Sequence, residues 1–390
     1  VKTLGPIVSE VRVLAVDADE PLMEFARRSG AQVESIPDDG DVAAAWNHIT
    51  EVAQAPWVLL LNGDERVSGD ADRLARLLDT TPGAAIRPDA LELVCRNGER
   101  EEREARLFRP ETARFTGRLT PRLVSRGAVR ELRRLTPGAD VLALVAAAES
   151  ADEPTRWRRR EARARRVLES LDAQRVGGDD LVGALIERAR ARRGLGDANG
   201  ALADLNRARR EPASERYRWQ AREELAALLI EHRHLTGAET LIRELRTSGA
   251  DEGYSDWLQA QVHAAQGQAT DALRILAGIA QATRADGQAI TTPEILTETM
   301  ILAARIHDYD RALECCIELC TTHGLVLRYG RLLLKLWGVR SPGALADRLL
   351  AAPSSDAHQL AQAFQKMPQP GPSLAEHLLG AQERAGASTG

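Results

Sequence analysis

Lysine is nearly absent from this sequence. Of its 52 basic residues only Lys2, Lys335 and Lys366 are lysines, and the rest are arginines. With many alanines and glycines, that bias marks GC-rich coding DNA and says nothing about function. Long apolar runs are missing too. Val141–Ala148 is the longest stretch, at eight residues, against about 20 for a bilayer-spanning helix. No basic segment followed by an apolar core opens the chain, so no secretory signal is expected and the expected compartment is the cytoplasm. A net charge of −5 argues against a general nucleic-acid or membrane-surface binder. Cysteine is scarce, with four residues. Cys315, Cys316 and Cys320 fall on one expected helix, which does not suggest a disulfide framework. With His323 they lack the paired C-x-x-C of a zinc site, and small buried helix residues are the expectation. No P-loop, G-x-S-x-G or G-x-G-x-x-G stands at a strand-to-helix turn.

What is present falls into two parts. Over the first ~140 residues, strand-like and helix-like segments alternate. Val11–Val16 is rich in β-branched residues and ends at Asp17. Pro21–Ser29 places Leu22, Phe25 and Ala26 on one helical face, with Gly30 as a stop signal. Ala31–Ile36 reads as a second strand, Val42–Ala53 as a helix behind the capping run Asp38–Asp41, and Trp57–Leu61 as a third strand. Such alternation predicts a mostly parallel, helix-covered sheet. Ligands of such sheets sit at the C-terminal strand ends, where Asp17, Asp19, Asp64 and Glu65 lie. Trp46 and Trp57 are expected in the core, His48 at the surface or in packing, and Arg106 and Arg109 on a surface strand face, with a position facing a diphosphate as the alternative.

From Glu153 onward the pattern is helical. The segments 194–205, 231–242, 263–276 and 304–316 align on Ala201, Ala238, Ala272 and Ala312, spaced 37, 34 and 40 residues apart. Five positions earlier stand the turn residues Gly196, Arg233, Gly267 and His307. This is similar to the tetratricopeptide (TPR) pattern of about 34 residues per helix pair. An arginine-rich helix precedes it, with Trp157 and Val167–Leu168 expected to pack on the first repeat. The last ~35 residues, with four prolines from Pro353 to Pro372, read as loose helices and a frayed tail.

In order, "PIVSEVRVLAVDADEPLMEFARRSGAQV" (6–33), "DDGDVAAAWNHITEVAQAPWVLLLNGDERVS" (38–68), "EARLFRP" (104–110) and "ARFTGRL" (113–119) resemble family 2 glycosyltransferases of the GT-A fold, in the subgroup that carries a C-terminal TPR domain. The resemblance implies an α/β GT-A-like domain with an incomplete Rossmann-like sheet over 1–150, an all-α TPR-like helical repeat domain over 151–350, and C-terminal helices with a flexible tail over 351–390. It implies a nucleotide-diphosphate sugar as donor and Mg²⁺ or Mn²⁺ bound by hard oxygen ligands against the diphosphate. On this chain Asp64 and Glu65 match the metal ligands. Asp17, Asn62 and Asp64 match the nucleotide-side positions. It also implies a further strand ahead of Val1.

The departures from the family are specific. Asn62 replaces the first acid of the family's D-x-D motif, Leu119-Thr120-Pro121 stands where the family has His-Glu, and no histidine lies between His48 and His232. Two expectations therefore stand side by side. One is a metal-dependent glycosyltransferase acting on a peptide, protein or polymer acceptor, with no identifiable general base. The other is a catalytically inactive scaffold that binds a protein or peptide in the TPR groove, with no nucleic-acid partner and no membrane span.

Overall fold

The computed structural model describes residues 8–16, 20–36, 40–63, 65–78, 88–97, 100–119, 121–127, 131–138, 141–146, 153–352 and 356–387. Contacts within the chain divide it into two compact units, Val1–Ala221 and Arg222–Gly390. Its N-terminal part is mixed α/β and its C-terminal part is all helical.

The α/β part opens with β1 (Arg12–Val16), α1 (Glu20–Arg28), β2 (Gln32–Ile36), α2 (Val42–Glu51), β3 (Val58–Leu59), β4 (Glu65–Gly69) and α3 (Ala71–Leu78). It continues with strands alone: β5 (Ala90–Asn97), β6 (Arg100–Phe108), β7 (Ala113–Thr116), β8 (Arg122–Ser125), β9 (Arg134–Leu135) and β10 (Leu142–Ala146). Strands β1 and β2 form a separate parallel pair, and β7 and β8 an antiparallel one. The main sheet has the order β3-β6-β5-β10-β4, with β9 beside β5.

The expectation of a mostly parallel sheet is corrected by the pairing. Strand β5 runs parallel to β9 and β10, but β3–β6, β5–β6 and β4–β10 are antiparallel. The cause is local. No described helix separates the strands from β5 to β10, and a two-residue connection such as that between β5 and β6 permits only a hairpin.

Alternation along the strands sends side chains to two cores. On one face Leu91, Leu93, Leu107, Leu142 and Leu144 pack with Leu74 of α3. On the other, Ala90, Phe108 and Leu60 pack with Ala43 and Trp46 of α2 and with Phe115 and Leu123 of the β7–β8 pair. The Trp46, Phe115 and Phe108 rings meet edge to face at 4.9 and 5.1 Å, the arrangement that ring quadrupoles favour. Asn47 locks α2 to β7 by exchanging two hydrogen bonds with the Phe115 backbone, at 2.9 and 2.8 Å. Trp46 and Trp57 are thus core-packing residues, as expected.

Helices α4 (Glu153–Gln174), α5 (Asp179–Gly194), α6 (Ala198–Ala208), α7 (Glu215–Glu231) and α8 (Leu235–Thr247) follow. Then come α9 (Glu252–Ala265), α10 (Ala269–Gly278), α11 (Thr292–Arg305), α12 (Tyr309–Thr321), α13 (Val326–Trp337), α14 (Pro342–Leu350), α15 (Ala357–Gln365) and α16 (Gly371–Ala387). Val167 and Leu168 of α4 are buried, and Trp157 lies so close to Gly194 of α5 that a Cβ there would meet its ring at 2.4 Å.

The four turns flagged in the sequence, α5/α6, α7/α8, α9/α10 and α11/α12, close in the same way. Gly196, Arg233, Gly267 and His307 all have positive φ, at 80°, 62°, 81° and 62°. The next N–H reaches back to the carbonyl five residues earlier. The bonds are Asp197→Arg192 at 2.8 Å, His234→Leu229 at 2.8 Å, Gln268→His263 at 2.9 Å and Asp308→Ala303 at 2.9 Å. This left-handed closure satisfies helix-end carbonyls and reverses the chain within three residues. Four residues on, Ala201, Ala238, Ala272 and Ala312 are each fully buried, at 0% exposure, where only a small side chain fits between helices. The 40-residue interval between Ala272 and Ala312 is the longest because residues 279–291 form an insertion between α10 and α11.

The C-terminal helices, expected to be loose, are packed. Phe364 of α15 and Leu374 and Leu378 of α16 are fully buried, because their apolar residues recur at helical spacing despite the nearby prolines. Cys315, Cys316 and Cys320 are buried free thiols, as expected. Burial pushes the Cys315 thiol up to about 11. A hydrogen bond with Cys316, reinforced by burial, raises that of Cys320. Both shifts leave these groups protonated and inert. Among the described residues, no helix is long and apolar enough to cross a membrane.

Candidate functional site

The strand-end site is built where β3 gives way to β4. Leu60 still donates its N–H to Arg106 O at 2.9 Å, and the chain then turns through Asn62 and Gly63. Glu65 closes the turn from both ends. Its N–H donates to Asn62 O at 3.0 Å, its Oε2 accepts the Asn62 N–H at 2.7 Å, and its Oε1 accepts Asn62 Nδ2 at 3.0 Å. The same Oε1 also accepts from Arg106 Nη2 at 3.3 Å.

Arg106 is the residue around which the site is organised. It stands on β6 on the same face as Phe108, two positions on, and is 5% exposed. Its guanidinium lies 5.2 Å from the centre of the Trp46 ring, and its Nε donates to Glu104 Oε2 at 2.6 Å. Burial alone would lower its pKa. The carboxylates of Glu104 and Glu65 outweigh burial and raise it, so the group is a permanent cation. The expectation of a surface position for Arg106 is therefore corrected. Strand β6 is covered on both faces, and the period-2 pattern that pairs Arg106 with Phe108 was the available signal for it. Arg109 forms an ion pair with Glu111 and keeps partial exposure.

Of the residues expected to hold nucleotide and metal, Asn62 and Glu65 are brought together, while Asp17 and Asp64 lie outside the described residues. Both Glu65 oxygens are engaged, Oε2 by the turn and Oε1 by the turn and by Arg106. Among the described residues no three His, Cys, Asp or Glu side chains converge as metal ligands. The described donor set does not fit Mg²⁺ or Mn²⁺, because one carboxylate already neutralised by arginine offers neither the charge nor the ligand number of such a site. Asp41 caps α2 by accepting the Ala44 N–H at 2.8 Å and faces Arg118 at 3.6 Å, a structural use of its carboxylate. His48 is half exposed and pairs with Glu34 at 2.7 Å, a surface bond between α2 and β2.

A second polar cluster, not foreshadowed in the sequence patterns, lies among the repeats. Glu223 and Glu224 of α7 are buried at 1% and 4% exposure. Glu223 accepts the Ala285 N–H through both oxygens, at 3.1 and 2.9 Å, and Glu224 pairs with Arg284. The Arg284 guanidinium also lies 5.7 Å from the centre of the buried Tyr254 ring of α9. Two adjacent acids inside a helix otherwise rich in Ala and Leu were the only cue, since their partners lie about 60 residues away. No family model matches this chain, and no curated protein is found to be similar to it.

Proposed function

We propose that this chain is an interaction protein whose TPR-like helical array binds a peptide or protein segment, with the GT-A-like α/β part serving as a structural module. The observation that carries this reading is the fourfold recurrence of one helix-closing device. A positive-φ residue, a back-reaching hydrogen bond and a fully buried alanine recur at Gly196, Arg233, Gly267 and His307. Repeats of this kind stack helix pairs into an extended groove, a surface suited to long partners rather than to one small molecule.

The test is site-specific photo-crosslinking in cells. A crosslinker at Gln259, half-buried on α9, is expected to trap one defined polypeptide. A crosslinker at Arg274, exposed on α10, is expected to trap none. Equal labelling from both positions, or none from either, would overturn the groove reading.

A second reading is a glycosyltransferase-like enzyme that uses a nucleotide-sugar donor, a divalent metal and a polypeptide acceptor. The observation in its favour is the meeting of Asn62 and Glu65 at the β3–β4 turn. It requires Glu65 to exchange Arg106 for a metal. Calorimetric titration with UDP and with GDP, each with Mn²⁺, on the natural chain and on Asp64→Ala, separates the readings. Metal-dependent binding that vanishes in the variant supports the enzyme, and its absence from a folded chain excludes a working donor site.

A further inference from the structure

The insertion between α10 and α11 is a small, fully specified hairpin. Arg284 N–H donates to Gln288 O at 2.8 Å, Gly287 N–H to Arg284 O at 2.8 Å, and Ile290 N–H to Ala282 O at 2.8 Å. Thr283 bridges Ala289. Gly287 has φ 95°, the left-handed residue that ends a type I turn in a three-residue hairpin loop.

The hairpin is seated on α7 and α9 by polar contacts. Its Ala285 N–H meets Glu223, its Arg284 meets Glu224 and the Tyr254 ring, and its Thr283 N–H donates to Asp251 at 3.1 Å. The approach to α9 is close enough that a Cβ on Gly253 would stand 1.9 Å from Gln281 O.

We propose that this hairpin is a proton-linked latch, held on α7 and α9 when Glu223 carries a proton and loosened when Glu223 ionises beside Glu224 and Asp286.

Three carboxylates, Glu223 and Glu224 from α7 and Asp286 from the hairpin, face the Arg284 guanidinium. Arg284 is bound to Glu224 and lies 3.7 Å from Asp286. Tyr254, contributed by α9, is buried and stays neutral, since burial raises its pKa. Two of the acids are almost wholly removed from water, where like charges repel strongly and unpaired charge is costly. Burial raises Glu223 from 4.5 to about 7. The Ala285 N–H and Arg284 act against that rise, and Asp286 and Glu224 add to it.

The linkage has a definite sign. With the hairpin seated, Glu223 holds its proton up to about pH 7. With the hairpin lifted, water reaches the carboxyl and it ionises near its ordinary value. Seating therefore takes up a proton. It is fully favoured below the ordinary value and loses roughly tenfold per pH unit as pH rises toward 7, levelling off above that. Lifting the hairpin bares Glu223, Glu224 and the face of Tyr254, an acidic and aromatic patch absent from the surface at low pH.

Hydrogen exchange of the full chain, corrected for intrinsic chemistry, tests the latch. The readouts are the amides of Thr283, Ala285 and Ile290, with those of Leu258 and Val262 in α9 as controls. Protection of the hairpin amides is expected to fall at least tenfold from pH 5.5 to pH 8, with the controls unchanged. Glu223→Gln keeps an oxygen for the Ala285 N–H and cannot ionise, so its protection is expected to be flat. Asp286→Asn removes one like charge and is expected to shift the transition to higher pH if its main effect is to weaken Arg284, and to lower pH if relief of repulsion at Glu223 dominates. The latch requires the second. Flat protection in the natural chain, a transition that persists in Glu223→Gln, or no move toward lower pH in a folded Asp286→Asn would each overturn it. Should Glu223→Gln not fold, the Asp286→Asn arm decides alone.

Discussion

The helical array and the α/β part solve the same problem, burying polar backbone and side chains, by opposite means. In the array the helix-closing solution is local and repeated. A turn residue, a back-reaching N–H and a buried alanine occur within about ten residues at Gly196–Ala201, Arg233–Ala238, Gly267–Ala272 and His307–Ala312. In the α/β part the solutions are singular and distant in sequence. Arg106 joins Glu65 across 41 positions, and Asn47 joins Phe115 across 68. Where the array breaks its own rule, at the 279–291 insertion, it borrows the α/β strategy, and Arg284 reaches Glu224 across 60 positions. A repeat tolerates loss of one copy of its device, whereas a singular long-range contact has no second copy.

That contrast is sharpest at Arg106. Arg106→Met is expected to destabilise the α/β part by about 3–5 kcal/mol, because it leaves Glu65 nearly buried without its cation. Adding Glu65→Gln is expected to recover much of the loss. Urea unfolding of both variants measures the coupling, and simple additivity would show that the pair is not a unit. Next in size is Gly253→Ala in the insertion's seat. Its Cβ would meet backbone, which cannot swing away, so a loss of about 1–3 kcal/mol is expected. Gly63→Ala at the β3–β4 turn meets nothing within 4 Å and is expected to be neutral to within about 0.5 kcal/mol.

The repeated turns give smaller and paired effects. Gly267→Ala is expected to cost about 1 kcal/mol, because φ 81° strains any residue with a Cβ although the space around it is open. His307→Gly relieves the same strain and is expected to gain under about 1 kcal/mol, less whatever the His307–Tyr309 hydrogen bond at 2.8 Å contributes. Equal effects of like sign at the two turns would break the claim that they are one device. Smallest of all is Phe25→Ser on α1. Phe25 is 70% exposed and α1 buries none of its residues, so thermal unfolding is expected to move by no more than about 0.5 kcal/mol.

Legibility followed the same divide. The helix and strand starts of the first 60 residues were readable from periodicity. The segments read at Val11–Val16 and Ala31–Ile36 correspond to β1 and β2, and the Val42–Ala53 segment to α2. The four turn residues and alanines were readable because a helix hairpin writes its register into neighbouring positions. Strand order was not readable, since nothing local to β5 states that β10 lies beside it and β6 on its other side. The role of Arg106 was half visible, through its alternation with Phe108. The Glu223–Arg284 cluster was invisible, because its members are ordinary charged residues until the chain brings them together.

Short-range spacing alone specified four of the turns between helices, which alanines are pressed between them, and that the first part mixes strands with helices. These depend on backbone conformation and on spacings of two to five residues, which a linear chain specifies directly. Long-range packing set the rest: the sheet is mixed rather than mostly parallel, Glu65 is bound to an arginine, and two adjacent glutamates of α7 are closed over by a distant hairpin. Those outcomes depend on which surfaces are excluded from water together, and an ionised side chain has a different chemistry once its neighbours, rather than water, solvate it.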